Sequence, residues 1–171
     1  MRRLASAAVL CLALVVCGVA NAATTVSFFS HGWRLGQHGF IAPHAFVLIK
    51  RTGQAGEGPT REGFGFTSAG QDPAPLMQPT PGDLKTSTLH FTVEATEAQY
   101  LALKVRVAAW AAPGAALHDL KGHNGVPFVA ELASILGLAT PPPTGRDPGK
   151  FLEGVRRLNP GRMTAAPAGT L

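Results

Sequence analysis

The chain has 171 residues, a formal charge of +5, 46% hydrophobic positions and only two cysteines. That length suits one domain of ordinary size. No internal repeat is visible, and the charge of +3 that remains without residues 1–22 is too small and too scattered to argue for nucleic acid.

Met1-Arg2-Arg3 is a short basic start, Leu4 to Ala20 is an almost unbroken apolar run, and Ala20-Asn21-Ala22 has the small-x-small form of a cleavage signal. This is the three-part layout of a secretory signal peptide, so residues 1–22 are expected to be removed and the protein to be periplasmic or secreted. A retained membrane helix would instead carry a stop-transfer flank, and a lipoprotein signal at Cys17 is disfavoured by the branched Val16 before it. Removal of residues 1–22 takes away Arg2 and Arg3 and lowers the charge to +3. It also takes away Cys11 and Cys17, so the remaining 149 residues hold no thiol. Disulfides, thiolate metal sites and a cysteine nucleophile are thereby excluded from the exported chain. No later apolar run is long enough for a stable membrane span.

Residues 23–140 are expected to form a single α+β domain, and residues 141–171 a Pro-rich C-terminal extension with one short helix. Residues 24–30 are β-branched and aromatic and read as a strand. Residues 31–43 carry three glycines and end at Pro43, which reads as a loop. Residues 44–50, His-Ala-Phe-Val-Leu-Ile-Lys, have apolar side chains on both faces, as a central buried strand requires. A glycine-rich turn follows to Pro59, and residues 62–68 read as a short strand with Phe64 and Phe66 on one face. Ser68 to Lys85 holds four prolines and two glycines without periodicity; a loop this long is usually functional or mobile. Residues 86–94 alternate, with Leu89, Phe91 and Val93 opposite Thr88, His90 and Thr92, so a half-buried strand is expected.

Thr96 followed by Gln99 has the form of a capping box, and Tyr100, Leu103, Val107 and Trp110 then recur at helical spacing as far as Pro113. Asn124 is a good N-cap for a second helix. Its buried stripe would be Val126, Val129, Ala130, Ala133 and Leu136, with Pro127 in the first turn and Gly137 at the end. Asp147 and Pro148 open the short helix of the extension, and residues 159–171 are expected to be poorly ordered. Strands first and helices after imply an antiparallel sheet with two main helices packed on one side.

Six histidines are candidates for chemistry: His31, His38, His44, His90, His118 and His123. His44 opens the most buried strand directly after a proline. A strand-end imidazole facing a cleft can act as a general base; its bland alternative is a histidine hydrogen-bonded at a sheet edge. Gly122-His123-Asn124-Gly125-Val126-Pro127-Phe128-Val129 leads a loop into a helix, whose unpaired N–H groups carry partial positive charge. Its first-turn residue, Gly125, offers a backbone amide and no side chain.

His44-Ala45-Phe46-Val47, Gly63-Phe64-Gly65-Phe66 and Asn124-Gly125-Val126-Pro127-Phe128-Val129, in that order, resemble the circularly permuted papain-like (NlpC-like) hydrolases, a group that includes the acyltransferases related to lecithin:retinol acyltransferase. The resemblance spans residues 31–138 and rests on short motifs. It implies a permuted papain-like architecture, with His44 at the base position and Phe128 and Val129 behind the nucleophile. Gly125 stands where that family has cysteine, so the attacking group is missing, and Ser134, about 15 Å along the same helix, cannot replace it. The third polar residue of such a site should come from the next strand, where Glu62, Thr67 and Ser68 are available.

The expected function is that of a catalytically inactive papain-like domain. It would bind a peptide or acyl-amide ligand, a cell-wall peptide in a bacterial source, between His44 and the helix start, with Trp33, His123 and Phe64 lining the site. Gly125 would leave room for a ligand carboxylate or carbonyl to reach the first-turn amides. Two alternatives remain open: an active amidase or peptidase with a non-cysteine mechanism, and a secreted structural or interaction module. The histidine spacings are too wide for a two-ligand helical face and no cysteine assists, so neither a metal site nor a cofactor is expected.

Overall fold

The computed structural model describes residues 23–36, 39–53, 58–66, 76–112, 124–144 and 147–164. Among the described residues, seven strands and four helices follow in chain order: β1 (Thr24–His31), β2 (Arg34–Gly36), β3 (Gly39–Ile41), β4 (His44–Arg51), β5 (Thr60–Phe66), β6 (Leu76–Met77), α1 (Pro81–Thr86), β7 (Thr88–Ala95), α2 (Glu97–Trp110), α3 (Gly125–Ile135) and α4 (Pro148–Leu158). The main sheet is antiparallel in the order β6-β5-β4-β1-β7. The fold is therefore α+β, and β4, apolar on both faces, is its central strand. The segment 31–43, expected as a loop, holds the end of β1 and a small β2-β3 hairpin.

Alternation along the strands separates two apolar clusters. Val26, Phe28, Val47, Ile49, Phe64, Phe66, Phe91 and Val93 face three helices together, α2, α3 and α4. Phe29, Phe46, Leu48 and Leu89 face the other way and are covered by Leu84 of α1. Two corrections follow. Among the described residues the sheet carries three helices on its main face where two were expected, because Phe151, Leu152 and Val155 of α4 are buried in the same core. The Pro-rich segment 68–85 also contains a helix and a short strand. Thr80 accepts a hydrogen bond from the Asp83 N–H while Asp83 accepts from the Thr80 N–H, and Pro81 sits in the first turn, where its missing donor costs nothing.

The expected helices keep their caps. Thr96 and Gln99 form the reciprocal box at α2, the Asn124 side chain accepts from the Val126 N–H at 2.9 Å, and Gly137 takes the positive φ of 72° that ends the α3 segment. Tyr100, Leu103, Val107 and Trp110 are buried as the spacing implied. Trp110 Nε1 donates to Glu131 Oε2 at 2.5 Å, tying α2 to α3.

The expected poor order beyond residue 158 does not hold for residues 159–164. Asn159 is buried; its amide donates to the carbonyls of Ala139 and Val155 and its Oδ1 accepts from the Ala139 N–H. Thr164 then pairs with Thr92 at the edge of β7. Terminal residues are ordered when they are tied down in this way.

The pairing of β7 with β1 shifts between Phe28 and Phe29. Phe91 lies opposite Phe28 but Leu89 lies opposite Phe29, leaving His90 as the extra residue of a β-bulge. A one-residue slip inverts the facing of every side chain beyond it. Leu89 therefore joins the second cluster, away from Phe91, and His90 turns to the helix face, where it meets Ser30 and Glu153. The uninterrupted alternation expected for residues 86–94 is corrected at this point.

Candidate active site

His31 ends β1 and His44 begins β4, and the antiparallel register sets them opposite each other. Their rings lie 5.8 Å apart at 40°. His31 is buried, with its Nδ1 3.0 Å from the Gly32 carbonyl. A carbonyl only accepts, so this nitrogen carries the proton.

The His44 ring is flanked by two glycines. A Cβ at Gly65 of β5 would stand 3.0 Å from Phe46 Cβ and 2.6 Å from His44 Nε2, the latter closer than real Cβ atoms approach. Only glycine there leaves room for the imidazole. On the other side, a Cβ at Gly125 would stand 3.4 Å from His44 Nδ1 and 3.3 Å from the Ala45 N and O atoms. His44 and the first turn of α3 are therefore in direct proximity, brought together by the packing of α3 on β4. Two strand residues earlier, Gly63 makes room in the same way for Pro79.

Of the residues singled out from the sequence, His44, Asn124 and Gly125 come together. Asn124 acts as the helix cap. Trp33 follows the His31 end of β1 and is 71% exposed. Phe64 does not reach the site: it is buried in the main core, with Lys104 Nζ over its ring at 4.9 Å. His123, His38, His118, Thr67 and Ser68 lie outside the described residues. Glu62 is engaged elsewhere, accepting from Tyr100 and Lys104. Burial pushes its carboxyl up, but the hydrogen bonds from Lys104 and Tyr100 and the charges of Lys104 and Arg51 outweigh that and leave it below the usual value. Gly125 is buried, and a Cβ there would be bounded by the Ala45 backbone and the His44 ring.

Gly65 and His31 were not assigned to the site from the sequence. A glycine at every second position of an otherwise apolar strand was the available signal, since it marks close approach of a neighbour. A groove of about 370 Å³ lies on the far side of α3, lined by Arg106, Pro127, Glu131, Ser134 and Thr140 among others, and does not include His44. Among the described residues no three metal-ligating side chains come together, and no helix is long and apolar enough to cross a membrane.

No family model matches the chain, and neither a curated protein nor a solved structure does.

Proposed function

We propose that this is an exported, degenerate permuted papain-like domain whose His44 centre has lost its thiol chemistry and serves in recognition of a peptide or acyl-amide ligand. The observation that carries the reading is the 3.4 Å separation between His44 Nδ1 and the Cβ position of residue 125. A base beside the first turn of a capped helix is the arrangement a thiolate nucleophile needs, and residue 125 is glycine. The ligand docks at the sheet end where β1 runs out towards the exposed Trp33 and β4 begins at His44. The exposed Trp33 indole offers stacking surface and the half-buried His44 imidazole a polar group, both suited to amide bonds.

Titration with cell-wall muropeptides and N-acyl amines, followed by tryptophan fluorescence, tests this. Trp110 is buried and Trp33 exposed, so a saturable change should arise from Trp33 and vanish in Trp33→Phe. His44→Ala should weaken binding about tenfold, a loss of about 1.4 kcal/mol. A flat response across the whole panel, confirmed by calorimetry, refutes the reading.

A further inference from the structure

One strand over from the Ala45–Gly125 contact, on the helix face of the sheet, three hydrogen-bonding side chains form a chain that the His44 site does not use. Ser30 is the penultimate residue of β1, His90 sits at the β7 bulge, and Glu153 projects from the second turn of α4. Ser30 Oγ is 2.7 Å from His90 Nε2, and His90 Nδ1 is 3.0 Å from Glu153 Oε1. An ionised carboxylate only accepts, so Nδ1 carries the ring proton and Nε2 is left to accept from the Ser30 hydroxyl. We propose that Ser30, His90 and Glu153 form a serine-hydrolase centre that cleaves esters of small carboxylic acids, with Ser30 as nucleophile, His90 as general base and acid, and Glu153 as the positioning residue.

Three further observations support this. Without the bulge at Phe28/Phe29, His90 would face the opposite side of the sheet; bulges recur where a strand must re-aim a side chain. The Glu153 carboxyl is held below its usual value by the hydrogen bond from His90 and then by that from Arg156, which keeps it ionised. Finally, α4 begins directly over the serine. A Cβ at Gly149, in its first turn, would lie 3.4 Å from Asp147 Oδ1, 3.5 Å from Ser30 Oγ and 4.0 Å from His90 Cε1. Glycine thus leaves room for a methyl group in ordinary contact with both groups, the size we assign to the acyl chain. In that turn Pro148 has no N–H, Lys150 donates to Asp147 Oδ1 and Phe151 to the Asp147 carbonyl. The Gly149 N–H is the first-turn donor left, among the described residues, for an oxyanion.

The reaction balances with water as the only co-reactant. As Ser30 Oγ bonds to the acyl carbon, its proton passes to His90 Nε2 and the carbonyl electron pair moves onto oxygen. The adduct collapses, the bond from the acyl carbon to the alcohol oxygen breaks, and that oxygen takes the proton from His90. Water then adds to the acyl-serine and gives its proton to His90. The bond between Ser30 Oγ and the acyl group breaks, Oγ regains the proton, and the carboxylic acid leaves.

Ser30 and the His90 side chain are only 5% and 6% exposed, so the same chain of bonds could serve simply to dock α4. The purified full chain separates the two roles. A small fluorophosphonate should label Ser30, located by mass spectrometry of the digest, and p-nitrophenyl acetate should turn over with a burst. Ser30→Ala should abolish both, and His90→Asn should slow turnover about a hundredfold or more. Gly149→Ala, whose added methyl makes only ordinary contacts, should keep the fold and lose labelling by filling the acyl space. Glu153→Gln should lower kcat with KM unchanged and alter the pH profile, whereas Glu153→Asp should recover part of kcat. Folded protein that is not labelled at Ser30, or that turns over the ester as fast in Ser30→Ala or Gly149→Ala, overturns the proposal.

Discussion

Restoring a thiol at residue 125 tests the His44 centre most directly. In the chain beginning at Ala23, Gly125→Cys supplies the only cysteine. The new Cβ would sit 3.3 Å from the Ala45 N and O atoms, a few tenths of an ångström inside ordinary contact. That places the cost at or below about 1 kcal/mol, the low end of overpacking penalties, and relief of the glycine's helix penalty, also about 1 kcal/mol, offsets part of it. The fold should survive. With the Cβ 3.4 Å from His44 Nδ1 and at a helix N-terminus, the thiol should titrate near pH ~6.5, well below the ~8.5 of a free cysteine. At pH 6 the thiolate fraction then rises roughly 80-fold, while lower intrinsic nucleophilicity gives back roughly eightfold, for a net gain of about tenfold; at pH 7 the gain is only about threefold. The pH at half-maximal alkylation by iodoacetamide is therefore the discriminating readout. A midpoint near 8.5, or a low midpoint that His44→Ala does not raise, refutes the reasoning.

Gly65→Ala should expel the His44 ring, since the added methyl would meet Nε2 at 2.6 Å. A loss of about 1–3 kcal/mol and a shifted His44 resonance in an NMR pH titration are expected, and an unchanged ring environment would contradict the packing. Leu152→Ala, at a fully buried position of α4, should cost about 2–5 kcal/mol in urea unfolding, whereas a detachable extension would lose almost nothing. Glu153 and Glu62 both have carboxyls lowered from 4.5 in the folded chain. Their contribution is complete above that value and is lost as pH falls through the lowered one, so urea midpoints should drop on acidification and Glu153→Gln should flatten the slope.

Much of the fold was legible because its signals are local. The Thr96–Gln99 box, the Asn124 cap, the Asp147-Pro148 start and the doubly apolar β4 each lie within a few residues, and each holds in the structure. α1 carried an equally local signal, the Thr80–Asp83 box with Pro81, but the density of proline around it pointed to a loop. The bulge in β7 had no such signal. Leu89, Phe91 and Val93 alternate perfectly in sequence, and only pairing with β1 reveals that Leu89 and Phe91 face opposite ways.

The candidate site divides along the same line. The sequence by itself determined that no cysteine lies beyond Cys17, that His44 opens a buried strand and that a capped helix begins at Gly125, because composition, strand pattern and capping are properties of neighbours in the chain. Tertiary structure alone decided that Gly65 makes room for the His44 ring, that the Ala45 backbone lies against Gly125, that Phe64 belongs to the core, and that Ser30, His90 and Glu153 meet. Those contacts join residues 20 to 80 positions apart, across different strands and helices. Their geometry depends on register and helix placement, which the packing of the whole core sets.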